Sequence, residues 1–352
     1  MAVKKNRVVY FEDWMDPKGE KKLREHPDFE LMHLKATDPE AKNWAAFEGA
    51  HGYIVGSLSK LVSPWYPDDT LLAGCPNMLA ICSKGTGYEA INVEACTRAG
   101  VLVCNQRGGN RQAVAEHTIG LMIALTKNIA AGDRMLRRPN RVDRVQYKGH
   151  DVQGKTIGIV GLGYIGARVA ELCRLAFDME VLAYSPHLTA DEIIARGAIP
   201  VDLPELLQRS DFVSLHGMGV KETRGMIGRE QFALMKPSAF FINTARASIH
   251  DEVALAEALA EGRIAGAGLD VFSVEPPPSD HPLLQFDNVI ATPHLGGVTF
   301  EAREILSVYA ADQFVSICAG EVPIRLVNRE VWPLYSKRFE RIMGFRPAAL
   351  KV

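Results

Sequence analysis

The sequence lacks any long apolar run. No segment approaches the ~18 consecutive apolar residues that a membrane-spanning helix needs. The first residues, Met1 to Arg7, carry no apolar segment of the kind that directs secretion. This pattern argues against a membrane-spanning helix, and it predicts a cytoplasmic protein with no membrane partner.

The sequence also lacks an excess of positive or negative charge, and it lacks closely spaced cysteine pairs. The formal net charge is −2 at pH 7 and the sequence pI is about 6.6. These values predict no strongly basic surface, so no nucleic-acid partner is expected. Six cysteines occur without a CxxC pair or an accompanying histidine cluster. We therefore expect buried free thiols and no metal site.

The sequence does contain two series of short apolar segments separated by helix-like ones. Their length and β-branched content are typical of strands, and the strand–helix alternation predicts parallel sheets covered on both faces. The predicted strands are 8–11, 53–55, 78–82 and 101–104, then 156–160, 181–184, 212–216, 239–243, 264–269 and 289–291. Helices are predicted at 91–99, 111–138, 251–261 and 300–319.

A chain of 352 residues suggests about two domains. The predicted fold is α/β, with two Rossmann-like or flavodoxin-like domains built on doubly wound parallel sheets. A cofactor domain, 113–297, is inserted into a discontinuous substrate domain, 1–112 and 298–352. The segment 332–352 is too short for another domain, so it either packs on a neighbouring subunit or hangs free of the fold.

A glycine motif follows the first strand of the second series. Gly161, Gly163 and Gly166 form the pattern G-x-G-x-x-G between a strand and a helical segment, the order found in dinucleotide-binding folds. Gly161 would form the tight turn, Gly163 would let the backbone approach a pyrophosphate, and Gly166 would let helix and strand pack closely. The N-terminus of the helix would present N–H groups to the phosphates.

Three polar residues follow later strands of the same series. Arg246, Glu275 and His294 each come just after an apolar strand, at the sheet edge where open α/β folds bind ligands. Taken singly, they could be a helix-capping arginine, a surface carboxylate and a structural histidine. Together they suit the reduction of a 2-oxo acid. Arg246 would hold the carboxylate, His294 would transfer the proton, and Glu275 would stabilise the protonated imidazole.

With these motifs, the chain resembles the D-isomer-specific 2-hydroxyacid dehydrogenase family, which includes glyoxylate/hydroxypyruvate reductases, D-lactate dehydrogenases and phosphoglycerate dehydrogenases. The resemblance covers roughly residues 50–330. Besides the glycine motif, it rests on Gly85-Thr86-Gly87-Tyr88, Val114-Ala115-Glu116-His117, Ile242-Asn243-Thr244-Ala245-Arg246, Asp270-Val271-Phe272, Glu275-Pro276 and Thr292-Pro293-His294.

The resemblance implies further roles. The arginine, glutamate and histidine become the catalytic triad, and the backbone N–H groups of Thr86 and Gly87 would bind the substrate carboxylate. Asp270 would bind the nicotinamide carboxamide. The other cofactor contacts implied are Gly161, Gly163, Tyr164, Ile165, Gly166, Ser185, His216, Thr244, Ala245, His294 and Gly297. Family members are usually dimers joined through the cofactor domains and the long helix at 113–138, so a homodimer is expected.

The chain departs from the family pattern in three places. Ser185 stands where NAD-preferring members often carry an aspartate. His187 follows it and no arginine does, so NAD is favoured and NADP is left open. His216-Gly217-Met218-Gly219 replaces the common His-x-Pro-Leu, which predicts a differently shaped loop beside the cofactor. Ala247 replaces a common glycine.

Two features of the first series bear on the substrate. Trp65 and Tyr66 hint at an apolar or aromatic substrate side chain, although packing of these rings within the outer domain is the favoured interpretation. Lys84, beside the Thr86 loop, would add a second positive charge to the site unless it is simply solvated.

The predicted function is NAD(P)-dependent hydride transfer between a 2-oxo acid and a D-2-hydroxy acid. One alternative is a nicotinamide-sensing, non-catalytic dimer similar to the co-repressors that share this fold. The other is a phosphite or formate dehydrogenase, although the formate enzymes carry glutamine where this chain has Glu275.

Overall fold

Two parallel β-sheets organise the chain, each in its own unit. The computed structural model describes residues 5–56, 61–137 and 144–350. Residues Met1–Asn110 and Phe300–Val352 form the outer unit, and Arg111–Thr299 form the inserted unit.

The outer unit is built on five parallel strands. Its elements up to residue 104 are β1 (Asn6–Tyr10), α1 (Pro17–Glu25), β2 (Phe29–His33), α2 (Glu40–Glu48), β3 (Ala50–Val55), α3 (Asp69–Ala73), β4 (Ala80–Ser83), α4 (Val93–Arg98) and β5 (Leu102–Cys104). The strand order is β2-β1-β3-β4-β5, which is the flavodoxin-like order. The sequence prediction missed β2, because this edge strand buries only its first residue fully and so lacks an apolar run.

The inserted unit is built on seven parallel strands. Its elements are α5 (Arg111–Thr126), α6 (Ile129–Leu136), β6 (Thr156–Val160), α7 (Tyr164–Phe177), β7 (Glu180–Tyr184), α8 (Ala190–Ala195), β8 (Ile199–Pro200), α9 (Leu203–Arg209), β9 (Phe212–Leu215), α10 (Arg229–Leu234), β10 (Phe240–Asn243), α11 (Glu252–Ala260), β11 (Gly266–Leu269) and β12 (Val289–Ala291). The order β12-β11-β10-β9-β6-β7-β8 is that of a Rossmann sheet, with the topological switch point between β6 and β9. The predicted fold class is confirmed.

After the inserted unit, the chain returns to the outer unit through α12 (Phe300–Cys318) and α13 (Trp332–Met343). Short 3-10 helices lie at Arg144–Tyr147, Lys221–Thr223, Ala247–Ile249, Pro282–Gln285 and Arg329–Val331. No helix in the described ranges is both long and apolar enough to cross a membrane.

The predicted single helix over 111–138 is wrong. Helix α5 ends at Thr126 and α6 begins at Ile129, because Asn128 between them has a left-handed backbone with φ of 52°. Asparagine tolerates that conformation better than most residues. The apolar pattern does not reveal the break, because Leu125 and Ile129 keep helical spacing across it.

The C-terminal segment packs on its own chain. Helix α13 buries Trp332, Tyr335 and Phe339 in a core shared with β1, β4 and β5. Arg338 donates hydrogen bonds to the carbonyls of Met78 (2.6 Å) and Cys75 (2.7 Å). The segment is therefore not free of the fold, and its apolar face is covered without a neighbouring subunit.

All six cysteines are free and buried. Burial raises the pKa of the Cys75, Cys96 and Cys173 thiols to about 12. The prediction of buried free thiols is confirmed, and these side chains belong to the cores.

Candidate active site and cofactor site

Gly161 lies at the switch point of the inserted sheet, where only glycine fits. It follows β6 with φ of +96°. A Cβ atom added to it would lie 2.7 Å from the backbone nitrogen of Gly217 and 2.9 Å from the carbonyl carbon of His216. Its N–H donates to the carbonyl of Tyr184 (2.9 Å). The loops after β6, β7 and β9 therefore meet at this residue.

The other two motif glycines have opposite surroundings. A Cβ atom on Gly163 would meet no atom within 4 Å, whereas one on Gly166 would lie 2.2 Å from the carbonyl oxygen of Gly161. Gly163 is the N-cap of α7 and supplies no side-chain cap to that helix. The first N–H groups of α7 thus lie beside open space, an arrangement that suits the binding of a phosphate.

Two alanine substitutions should separate cofactor binding from packing. We expect Gly163→Ala to leave the melting temperature within about 2 °C but to weaken NADH binding by about tenfold, because its methyl group enters space that a pyrophosphate would use. Gly166→Ala should lower the melting temperature by more than about 5 °C, because its methyl group meets backbone. Thermal denaturation and NADH fluorescence titration measure both effects. Equal losses of stability would contradict this assignment.

Residues predicted to contact the cofactor surround this turn. Tyr164 is exposed at the start of α7, Ile165 packs inward against the core, and half-buried Ser185 directly follows β7. His216 bonds through Nε2 to the Ser214 hydroxyl (2.9 Å). Burial of its ring lowers the pKa of His216 to about 3, so it is neutral near pH 7.

A guanidinium also reaches the turn. No arginine follows β7 directly in the sequence, yet Arg196, at the end of α8, donates a hydrogen bond to the carbonyl of Leu162 within the glycine motif. Sequence reasoning missed this contact because Arg196 is 34 residues away from its partner.

The triad residues follow three adjacent strands. Arg246 comes after β10, Glu275 after β11 and His294 after β12. Nδ1 of His294 lies 2.7 Å from Oε2 of Glu275, and both side chains are about one-third exposed. The other glutamate oxygen, Oε1, accepts the N–H of Phe272 (3.2 Å). Because Glu275 accepts the Nδ1 proton, Nε2 is the nitrogen that can serve a ligand.

A strained turn carries His294. Its φ is +56°, a conformation that costs a non-glycine residue on the order of 1 kcal/mol. Its N–H donates to the carbonyls of Asp270 (2.9 Å) and Thr292 (3.0 Å). The Asp270 side chain accepts the N–H groups of Leu295 (2.7 Å) and Gly296 (2.8 Å). Asp270 therefore shapes the turn that presents His294, and half-buried Gly297 follows in the same turn.

Asp270 is almost fully buried, with 2% of its surface exposed. Burial alone would raise its pKa, but hydrogen bonds from His117, Thr292, Gly296 and Leu295 outweigh that effect and hold the pKa of Asp270 below its usual value. The carboxylate therefore stays ionised at neutral pH.

His117 joins α5 to this turn. Its Nε2 lies 2.9 Å from the Thr292 hydroxyl, which in turn donates to Asp270 (2.6 Å). The sequence showed His117 only as part of a helical motif, and nothing near it indicates a partner 175 residues away.

A buried asparagine organises the loop that carries Arg246. The Asn243 side chain accepts the N–H of Ala245 (2.9 Å) and donates to the carbonyl of Arg246 (3.0 Å) and to Nδ1 of His250 (3.0 Å). Thr244 bonds to the Thr118 hydroxyl (2.9 Å). Asn243 is the polar residue that ends the apolar strand Phe240–Asn243, and it stands in the motif 242–246. The motif did not predict that its side chain orders the loop.

The loop that departs from the family pattern lies against the arginine. A Cβ atom on Gly219 would be 3.1 Å from Cβ and Cγ of Arg246. The Arg246 side chain is half-buried and donates to the carbonyl of Ala245 (2.7 Å). The loop 216–219 thus borders Arg246 as well as the glycine turn.

The Thr86–Gly87 loop belongs to the outer unit. The carbonyls of Gly85, Thr86 and Gly87 all accept hydrogen bonds. The Gly85 carbonyl accepts the N–H of Gln106 (2.9 Å), and the Thr86 carbonyl accepts the side-chain amide of Asn105 (2.7 Å). The Gly87 carbonyl accepts the Ser83 hydroxyl. Within the described ranges, the structure shows no acceptor for the backbone N–H groups of Thr86 or Gly87. Backbone N–H groups arranged in this way suit an anion.

The two other residues that bear on the substrate have partners of their own. Trp65 is buried in the outer unit and stacks on Phe47, with ring centroids 5.5 Å apart, so the packing interpretation is confirmed for this residue. Residues 57–60 of the same segment lie outside the described residues. Nζ of Lys84 lies 3.2 Å from the Glu12 carboxylate, which balances the charge that Lys84 would otherwise add.

The chain is similar in sequence to proteins of a known family. The family model for the NAD-binding domain of D-isomer-specific 2-hydroxyacid dehydrogenases matches residues 119–296. The glyoxylate reductase of Thermofilum pendens is 40% identical over 75% of this chain and 79% of that protein. The D-3-phosphoglycerate dehydrogenase of Methanocaldococcus jannaschii is 43% identical over 69% of this chain but only 46% of that protein. The chain therefore spans about half the length of that relative.

A solved structure extends the likeness to both units. The D-lactate dehydrogenase of Aquifex aeolicus, crystallised with NAD and lactic acid, is 28% identical and covers 90% of this chain and 96% of its own, with a TM-score of 0.74. From the family model, the relatives and the shared fold, we conclude that the chain belongs to the D-isomer-specific 2-hydroxyacid dehydrogenase family and carries its NAD-binding domain.

Proposed function

We propose that the protein is an NAD(P)-dependent dehydrogenase that interconverts a 2-oxo acid and a D-2-hydroxy acid. The observation that carries this proposal is the pair of His294 and Glu275, 2.7 Å apart at the ends of neighbouring strands. A histidine whose Nδ1 proton is held by a carboxylate is suited to give or take a proton through Nε2.

The chain's own residues would do the remaining work. Arg246 offers a planar guanidinium to the substrate carboxylate, and the N–H groups of Thr86 and Gly87 offer further donors. The nicotinamide ring, when bound, supplies or accepts the hydride. Nε2 of His294 then protonates the oxygen that becomes negative during reduction, or removes that proton in the reverse direction.

A homodimer is part of the proposal. Helix α6 has no buried residue, and it exposes 55% of Ile129 and 84% of Leu136. Apolar side chains exposed on one short helix suit a second copy of the chain, which would cover them. The family resemblance points to the same region.

The deciding experiment follows the near-ultraviolet absorbance of NADH and NADPH, separately, with glyoxylate, hydroxypyruvate, pyruvate, 2-oxoisocaproate and phenylpyruvate. Turnover of one of these 2-oxo acids supports the proposal, and the rates rank the substrate and the cofactor. Sedimentation velocity with and without NADH completes the test. No turnover, with a dimer that forms only when NADH is added, would favour the nicotinamide-sensing alternative. Reduction of NAD by phosphite or formate, with no turnover of a 2-oxo acid, would also reject the proposal.

The coupling of Glu275 to His294 can be tested by substitution. We expect Glu275→Gln to lower kcat for 2-oxo acid reduction by about tenfold, because an amide holds the Nδ1–H of His294 less firmly than a carboxylate does. Steady-state kinetics measures this loss. Glu252→Gln is the control, since Glu252 lies 3.6 Å from His281, in a longer histidine–glutamate contact. Equal losses in the two variants would contradict the coupling.

A further inference from the structure

A buried amide network lies against the Thr86–Gly87 loop and ends on α12. We propose that Gln313, a residue of α12, is a positioning residue for substrate binding: through Asn105 and Gln106 it sets the loop whose N–H groups would bind the substrate carboxylate. This inference rests on the proposed function and extends it to a residue more than 200 positions from the loop.

The network is continuous from the helix to the loop. Nε2 of Gln313 donates to the carbonyl of Asn105 (3.0 Å) and to Oε1 of Gln106 (2.8 Å). Nε2 of Gln106 donates to the carbonyl of Ser83 (2.9 Å). The Ser83 hydroxyl then donates to the carbonyl of Gly87.

Asn105 forms a second branch of the same network. Its carbonyl accepts from Gln313, and its side-chain amide donates to the carbonyl of Thr86 (2.7 Å). Gln313 is therefore linked to the carbonyls of both Thr86 and Gly87. Across a trans peptide, a carbonyl held on one side turns the N–H of the next residue toward the other side, so the held Thr86 carbonyl orients the N–H of Gly87. The Gly85 carbonyl accepts the backbone N–H of Gln106 (2.9 Å) and in the same way orients the N–H of Thr86, where an anion can use both groups.

The orientation of each amide is determined by its neighbours. The backbone carbonyls of Ser83 and Asn105 can only accept hydrogen bonds, so each glutamine must present its nitrogen to them. Gln106 then has its oxygen free for the second proton of Gln313. A reversed amide at either glutamine would set two acceptors against each other.

Burial makes this network sensitive to a missing donor. Gln106 has none of its surface exposed and Gln313 has 3% exposed. Within the described part of the chain, Oε1 of Gln313 has no hydrogen-bond partner. An apolar residue would avoid that unfavourable burial, so the two protons donated by Gln313 are the feature that explains its presence in this core.

The test compares Gln313→Leu with Ser307→Ala. Both residues are buried on α12, and Ser307 donates to the carbonyl of Asp16, away from the loop. We expect Gln313→Leu to raise KM for the 2-oxo acid about tenfold, with kcat within about twofold and NADH affinity unchanged. Ser307→Ala should leave KM within about twofold even where it lowers the melting temperature equally. If Gln313→Leu does not fold, Gln313→Met, which is unbranched, takes its place.

Oxamate, a carboxylate that mimics a 2-oxo acid, provides a readout without turnover. Its affinity for the NADH-loaded protein, measured by calorimetry, should fall about tenfold in Gln313→Leu and stay unchanged in Ser307→Ala. Unchanged KM and oxamate affinity in Gln313→Leu, equal changes in both variants, or no oxamate binding to the wild type would overturn the inference. A wild type that binds oxamate but turns over no 2-oxo acid would overturn the proposed function alone.

Discussion

Replacement of His294 by alanine is expected to reduce kcat for the 2-oxo acid by at least about 10³-fold, the largest effect of any single substitution in this chain. Reduction places negative charge on the carbonyl oxygen, and without a proton donor that charge has to be neutralised by water. Alanine at this position removes Nε2 while the Glu275 carboxylate keeps its bond to the N–H of Phe272. The loss should therefore appear in turnover and not in the fold of the loop.

Three measurements support the interpretation of that result. NADH affinity of His294→Ala, measured by fluorescence, should stay within about threefold of the wild type, because general acid catalysis contributes to the chemical step and not to cofactor binding. The melting temperature should fall by no more than about 3 °C, since alanine keeps the φ of +56° and the substitution removes one part-exposed hydrogen bond, to Glu275. His281→Ala, which removes a histidine 3.6 Å from the Glu252 carboxylate, is the control and should stay active. Normal turnover in His294→Ala would reject the proposed chemistry.

The second large effect is expected at Arg246. Arg246→Lys keeps the positive charge but loses the planar guanidinium that meets a carboxylate with two parallel hydrogen bonds. We expect kcat/KM to fall by about 10²-fold, mostly through KM, because the missing contact is made before and during the chemical step. Steady-state kinetics over a range of 2-oxo acid concentrations measures both constants.

Partial rescue would identify the guanidinium as the cause. Arg246→Ala should regain activity when guanidinium chloride is added at low, non-denaturing concentration, whereas an exposed substitution such as Arg263→Lys should change nothing. The Arg246 loop is ordered by Asn243 through the backbone, so truncation of the arginine side chain leaves that bond in place. If Arg246→Lys kept the wild-type KM, other donors would have to bind the substrate carboxylate.

The residues that the sequence predicts at the ends of strands share one property. The signal that identifies each of them lies within a few residues of it in the sequence. The glycine motif has its strand and its helix within a few residues on either side. Arg246, Glu275 and His294 each follow a short apolar strand, and the parallel order of those strands brings their ends to one edge of the sheet. Periodicity and turn residues are local signals, and they were sufficient for these features.

The features that the sequence did not reveal depend on distant partners or on small deviations. His117 and Gln313 have partners 175 and 207 residues away, and an isolated polar residue on a helix does not indicate which residue it will meet. The break at Asn128 leaves the apolar spacing of α5 and α6 intact. The edge strands β2 and β8 are too short or too polar to show an alternating pattern.

The burial of every cysteine has a practical consequence for work in solution. Because the six native thiols are inside the cores, maleimide and nitroxide reagents should leave the folded protein unmodified. A cysteine introduced at an exposed site outside α6, such as Val253 in the inserted unit or Ile324 in the outer unit, would then be the single reactive thiol of that variant. An environment-sensitive fluorophore at either site would report changes within its own unit as NADH or a 2-oxo acid binds, with the native cysteines left in place.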